Sequence, residues 1–158
     1  LLNTYYCETR SFTMIRLKLI TLNGVKIDKD VYEVMIPTKA GDIAVYGGHA
    51  PLVGVIRYGI IKVRDEKSVK DADREVTAVF GGTIKVLNNE LIILADEIED
   101  PESLKEDEAE KALERAKELK KSAKDQVSLD HAQEMIDRQT VRLQLASLKH
   151  HSRKRPRQ

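Results

Sequence analysis

Apolar and polar positions follow two rhythms along this chain, and the change falls near Asp100. Before it, β-branched residues alternate with polar ones and turn residues recur at short intervals. After it, apolar residues return every three or four positions. The first period belongs to half-buried strands and the second to amphipathic helices. Ile15, Leu17 and Leu19 alternate with Arg16, Lys18 and Ile20 and predict the first clear strand. Further strands are predicted over 31–36, 42–45, 52–56, 59–64, 75–80, 83–87 and 90–95. Asn88 and Asn89, two residues that tolerate positive φ, predict a tight hairpin between the last two. So many short strands without a long crossover predict a two-sheet sandwich or barrel with largely antiparallel pairing.

The second half reads as a helical hairpin. Ser103 and Glu106 have the spacing of a capping box. Ala109, Ala112, Leu113, Ala116 and Leu119 then form one apolar stripe. A polar link over 121–127 leads to Ser128, a candidate cap for a second helix. Its stripe runs Leu129, Ala132, Met135 or Ile136, Leu143, Ala146 and Leu148. Two such helices joined by a short link form an antiparallel pair. Their alanine-rich seam allows close approach but buries little area per turn, so the hairpin is expected to separate at low cost. The domain reading is an unassigned extension over 1–13, a β-sandwich over 14–99, the hairpin over 100–150 and a disordered basic tail over 151–158.

Composition removes several alternatives. The 158 residues carry a net charge near +1, so no global field steers the chain to nucleic acid or membrane. One cysteine, Cys7, excludes an internal disulfide and a multi-cysteine metal site. No P-loop, G-x-S-x-G, H-E-x-x-H or C-x-x-C motif is present. Gly81-Gly82-Thr83 lacks the lysine of a phosphate loop and reads as a turn. The histidines at 49, 131, 150 and 151 lack the spacing of a metal site. No enzyme, cofactor or metal site is expected.

Charge is uneven along the hairpin. Acidic residues crowd 99–110, where a helix dipole favours anions. From Arg138 onward there are none, while Arg138, Arg142, Lys149, Arg153, Lys154, Arg155 and Arg157 are basic.

The run Ala40-Gly41-Asp42-Ile43-Ala44-Val45-Tyr46-Gly47-Gly48-His49-Ala50-Pro51-Leu52 resembles the G-E-L-G-I-Y-P-G-H-A-P-L signature of epsilon subunits of F-type ATP synthases. Residues 80–86 and 93–96 resemble the same family's G-G-x-x-x-V and V-L-A-D strands. The resemblance covers 14–148 and is strongest with the bacterial form, although the mitochondrial equivalent shares the architecture. It implies a ten-stranded antiparallel β-sandwich followed by a C-terminal helical hairpin. It further implies a rotor subunit without a catalytic site, which couples rotation to ATP synthesis and restrains ATP hydrolysis. The implied partners are the gamma subunit, the c-ring and, when the hairpin extends, the catalytic alpha and beta subunits. The implied location is the cytoplasmic face of the bacterial inner membrane, peripheral through those partners.

Residue by residue, the resemblance implies c-ring contact at Asp42, Gly48 and His49. Gly47 stands where the family has proline and Ala44 where it has glycine. Arg138 and Arg142, one turn apart, are the implied contacts to an acidic motif of the catalytic subunits. Some epsilon subunits bind ATP through I/L-D-x-x-R-A. The run Leu129-Asp130-His131-Ala132-Gln133-Glu134 keeps only its first half, and its carboxylate opposes polyphosphate. The alternative from a different class is a module that binds nucleic acid nonspecifically through the Arg153–Arg157 run, which lacks aromatics for base stacking.

Overall fold

The computed structural model describes residues 14–153, with side chains to Lys149. The expectation for 1–13 and most of that for the basic tail fall outside these residues. Ten strands precede two helices. They are β1 (Ile15–Thr21), β2 (Gly24–Val31), β3 (Glu33–Thr38), β4 (Gly41–Tyr46), β5 (Leu52–Ile56), β6 (Gly59–Arg64), β7 (Glu75–Val79), β8 (Gly82–Leu87), β9 (Glu90–Ala95) and β10 (Ile98–Glu99). The helices are α1 (Glu106–Ser122) and α2 (Gln126–Arg153). The fold is the β-sandwich with a helical hairpin that the pattern implied.

One hydrogen-bonded path runs β10-β7-β6-β3-β5-β8-β9-β1-β2, with β4 on the other side of β3. It bends where β3 leaves β6 and meets β5 through the single pair Thr38 and Ile56. The strands on either side of that corner form the two layers. All pairings are antiparallel except β1 with β9, which is parallel. The core lies between the layers: Ile15, Leu17, Leu19, Val34, Ile61, Ile84 and Ile93 are essentially buried. Asn88 and Asn89 take φ of 51° and 63°, as the predicted tight hairpin requires.

Several local expectations differ from the structure. The predicted strand over 31–36 is two, because the chain turns at Tyr32 between β2 and β3. Ser103 does not cap α1: its hydroxyl donates to the Asp100 carbonyl, and the helix begins at Glu106. Nor is Ser128 the cap of α2. Asp125 fills that place, accepting from the Ser128 amide at 2.9 Å and the Ser128 hydroxyl at 2.8 Å. Those bonds hold the Asp125 carboxyl below its ordinary pKa. The helix also continues through Arg153, three residues into the segment read as tail.

Candidate functional site

The two outer faces of the sandwich are treated differently, and the helices make the difference. Pleating sends Ile61 and Val79 inward and Ile60, Val76 and Ala78 outward from β6 and β7. On that outward face Ala78 and Phe80 pack with Val141 and Leu145 of α2, joined by Tyr58, Ile60 and Val76. The hairpin is therefore folded down on the sandwich. Val141 and Leu145 are missing from the stripe expected for α2. They belong to a second stripe, turned to the sheet, while Ala132 and Ala146 of α2 are buried, as are Ala109 and Ala116 of α1.

Arg138 and Arg142 lie beside this cluster. Arg138 pairs with Glu97, and Arg142 pairs with Glu99 at 2.6 Å. Both guanidinium groups cover the Phe80 ring, at 4.6 Å and 5.9 Å from its centroid. Farther along, the Lys149 ammonium donates to the Pro101 carbonyl at 2.6 Å. Glu97 precedes the short β10 and Glu99 ends it, so the segment leading to the hairpin also supplies its anchors. The two arginines implied as contacts to another subunit are thus engaged within the chain.

Tyr58 adds a titratable tie. Its hydroxyl donates to Glu134 at 2.5 Å. That bond, then burial, then the carboxylate charge push its pKa up to about 12 from 10.0. Because the docked-state value is raised, this contribution to docking is fully present below pH 10 and fades as pH rises from 10 to about 12. Tyr58→Phe is expected to remove the highest-titrating tyrosine from an alkaline absorbance titration. It should also reduce the loss of docking across that window.

Asp42, Gly48 and His49 do not form one cluster. Asp42 lies near the start of β4, beside the β3–β4 turn, and pairs with Arg57 at 2.6 Å. Gly48 and His49 lie beyond the other end of β4, a separation of roughly 13 Å over the four residues from Asp42 to Tyr46. The six-residue length of the strand carries this signal in the sequence itself.

Leu129 and Asp130 lie on the first turn of α2, where Asp130 accepts from Gln126 at 2.7 Å. Asp130 lines a cleft of about 1170 Å³ between α2 and the sandwich. Asp96, Glu134 and Asp137 share that cleft with only Lys39 and Arg57 as cations, a field that repels polyphosphate. Among the described residues, no group of three or more His, Cys, Asp and Glu is placed to hold a metal ion. No described helix is long and apolar enough to cross a membrane.

The second layer's outer face carries exposed apolar side chains, and its Val55, Thr83 and Leu94 reach the rim of the α2 cleft. Val53 and Val55 of β5, Leu87 of β8 and Leu94 of β9 are 76%, 47%, 40% and 50% exposed. The register sets Val55, Thr83, Leu94 and Ile20 in one row across β5, β8, β9 and β1. A charge ladder of Arg16 with Asp28 and Asp30, and Lys18 with Glu90, borders it on the β1–β2 side. An apolar centre beside a polar margin is the anatomy of a protein interface.

Comparison with known proteins gives these surfaces a context. The family model for the beta-sandwich domain of the ATP synthase delta/epsilon chain matches residues 14–101. The chloroplast ATP synthase epsilon chain of Oltmannsiellopsis viridis is 30% identical over 131 residues, 83% of this chain and 96% of that protein. The ATP synthase epsilon chain of Bacillus velezensis is 27% identical over 132 residues, covering 84% and 96%. In fold, the chain is similar to one in the cryo-EM structure of the Euglena gracilis mitochondrial ATP synthase, with a TM-score of 0.74 and 22% identity. That match covers 86% of this chain and 82% of the other. These relatives are all parts of ATP synthases, and the nucleic-acid reading finds no support among them. By its matched sandwich and its near full-length relatives, the chain belongs to the ATP synthase delta/epsilon chain family.

Proposed function

We propose that this chain is the epsilon-type central-stalk subunit of a proton-translocating F-type ATP synthase, a non-catalytic rotor component that restrains ATP hydrolysis through its hairpin. The observation that carries this reading is the asymmetry of the sandwich: α2 packs on Ala78 and Phe80, while Val53, Val55, Leu87 and Leu94 of the other layer stay exposed, Val55 and Leu94 at the rim of the α2 cleft. That exposed face is assigned to gamma. Gly48 and His49 border it through Pro51 and Val53, so they are assigned to the gamma side as well. Asp42, at the opposite pole, keeps the c-ring assignment. This reading divides the implied c-ring contact between the two ends of β4. Through these partners the subunit sits peripherally on the cytoplasmic face of a bacterial inner membrane.

The hairpin works as a brake with two alternative partners for Arg138 and Arg142. Docked, they face Glu97, Glu99 and Phe80. Extended, they meet an acidic surface of the catalytic alpha and beta subunits. One pair of charges cannot serve both, so docking and braking exclude each other. The interface assignment is tested by co-purification with a gamma-containing catalytic subcomplex. Leu94→Lys, at a half-exposed position, is expected to weaken binding at least tenfold without a shift in melting temperature, since a desolvated lysine at an apolar contact is costly. Unchanged binding would remove this face from the gamma interface.

A further inference from the structure

We propose that Asn89 is a positioning residue that clamps the loop over 47–51 in the conformation that meets gamma. This proposal rests on the assignment of that loop to the gamma side. The loop carries two consecutive glycines, and Gly48 has φ of +78°, so its backbone has little conformational restraint of its own. Local support comes from the His49 amide donating to the Tyr46 carbonyl at 3.2 Å, and from His49 Nδ1 lying 2.7 Å from the Ala50 carbonyl oxygen. The remaining restraint comes from far away in sequence. Asn89 Oδ1 accepts from the Gly48 amide at 2.9 Å. Its Nδ2 donates to the Met14 carbonyl at 2.8 Å, and its own carbonyl accepts from the Arg16 amide at 3.1 Å. One residue thereby ties the start of β1, the β4–β5 loop and the β8–β9 turn.

The choice of side chain points the same way. A two-residue turn with both φ values positive favours glycine at its second position, where this chain has asparagine. Asn89 sits at φ +63°, a conformation that asparagine tolerates. It also offers a donor and an acceptor from one short side chain. Glycine would serve the turn and lose both bonds, while aspartate would keep the acceptor and lose the donor.

Asn89→Gly in the full chain therefore separates the clamp from the turn. Three quantities decide the matter: the melting temperature, amide exchange at Gly48, and affinity for a gamma-containing catalytic subcomplex. The melting temperature is expected to hold. Gly48 exchange should quicken about tenfold, as loss of one hydrogen bond allows, and affinity should fall about five- to tenfold. Asn89→Asp, which retains an acceptor for the Gly48 amide, is expected to keep Gly48 protected and to keep most of the affinity. Unchanged Gly48 exchange in Asn89→Gly would overturn the clamp. Faster exchange with full affinity would overturn its positioning role. If the unaltered chain fails to bind the subcomplex, the gamma assignment falls, and Gly48 exchange still decides the clamp.

Discussion

Glu33→Ala is expected to cost about 3–5 kcal/mol of folding stability, because it leaves buried positive charge without its counter-ion. Glu33 is 4% exposed at the start of β3. Its Oε2 lies 2.9 Å from Arg74 Nη2 and 3.0 Å from Arg64 Nε, and its Oε1 accepts from the Tyr46 hydroxyl at 2.8 Å. The segment linking β6 to β7 folds over this cluster, and Asp71 adds a second carboxylate to both arginines. Asp71 is exposed and cannot replace a carboxylate beneath it. Urea unfolding of the full chain measures the loss. A decrease under about 1 kcal/mol would mean that the cluster behaves as a hydrated surface network. Replacing Glu33, Arg64 and Arg74 together by apolar residues should restore most of the stability, since the destabilisation comes from the unpaired charges.

Reversing the hairpin anchors is expected to release α2. Glu97→Lys with Glu99→Lys removes two attractive pairs of about 1 kcal/mol or less each and adds repulsion of similar size. Docking should weaken by about 2–3 kcal/mol, roughly 30- to 150-fold in the ratio of docked to released hairpin. The small apolar patch of Ala78, Phe80, Val141 and Leu145 then remains to hold it, with the Tyr58–Glu134 and Lys149–Pro101 hydrogen bonds. Amide exchange across the α2 segment that faces the sheet, or a distance measured between α2 and β7, reports the release. Arg138→Ala with Arg142→Ala should release it too, but with the opposite effect on the motor. The lysine variant leaves both arginines free for the catalytic subunits and should restrain hydrolysis more than the unaltered chain does. The alanine variant should restrain it less. Equal effects of the two variants on hydrolysis would show that the arginines do not carry the second contact.

The sequence pattern reveals the sandwich and the hairpin because both obey their periods. β5, β6 and β9 lie over the very residues whose alternation predicts them. β2 escapes because its solvent side reads Asp28 and Asp30 and its apolar side only Ile27 and Val31, a charged edge strand that resembles a loop. β10 is two residues long and has no period to detect. The capping expectations fail for a competitive reason: Ser103 has a nearer acceptor in Asp100, and Asp125 presents a carboxylate three residues before Ser128. In α2, a single alanine-rich stripe accounts for the contact with α1, and the stripe through Arg138, Val141, Arg142 and Leu145 has its partner on another domain. That partner is visible in the sequence only as apolar residues on the outward side of β6 and β7, with Phe80 just beyond β7. The site residues are legible as a run, but their separation depends on the straight course of β4.

A rotor subunit whose hairpin restrains hydrolysis is tested most directly by the ATP hydrolysis rate of a gamma-containing catalytic subcomplex. The full chain is compared with a chain ending at Asp100, each checked for co-purification. Both are expected to bind, and only the full chain to slow hydrolysis. Binding of both with equal hydrolysis rates would contradict the brake, and failure of the full chain to bind gamma would contradict the rotor assignment itself.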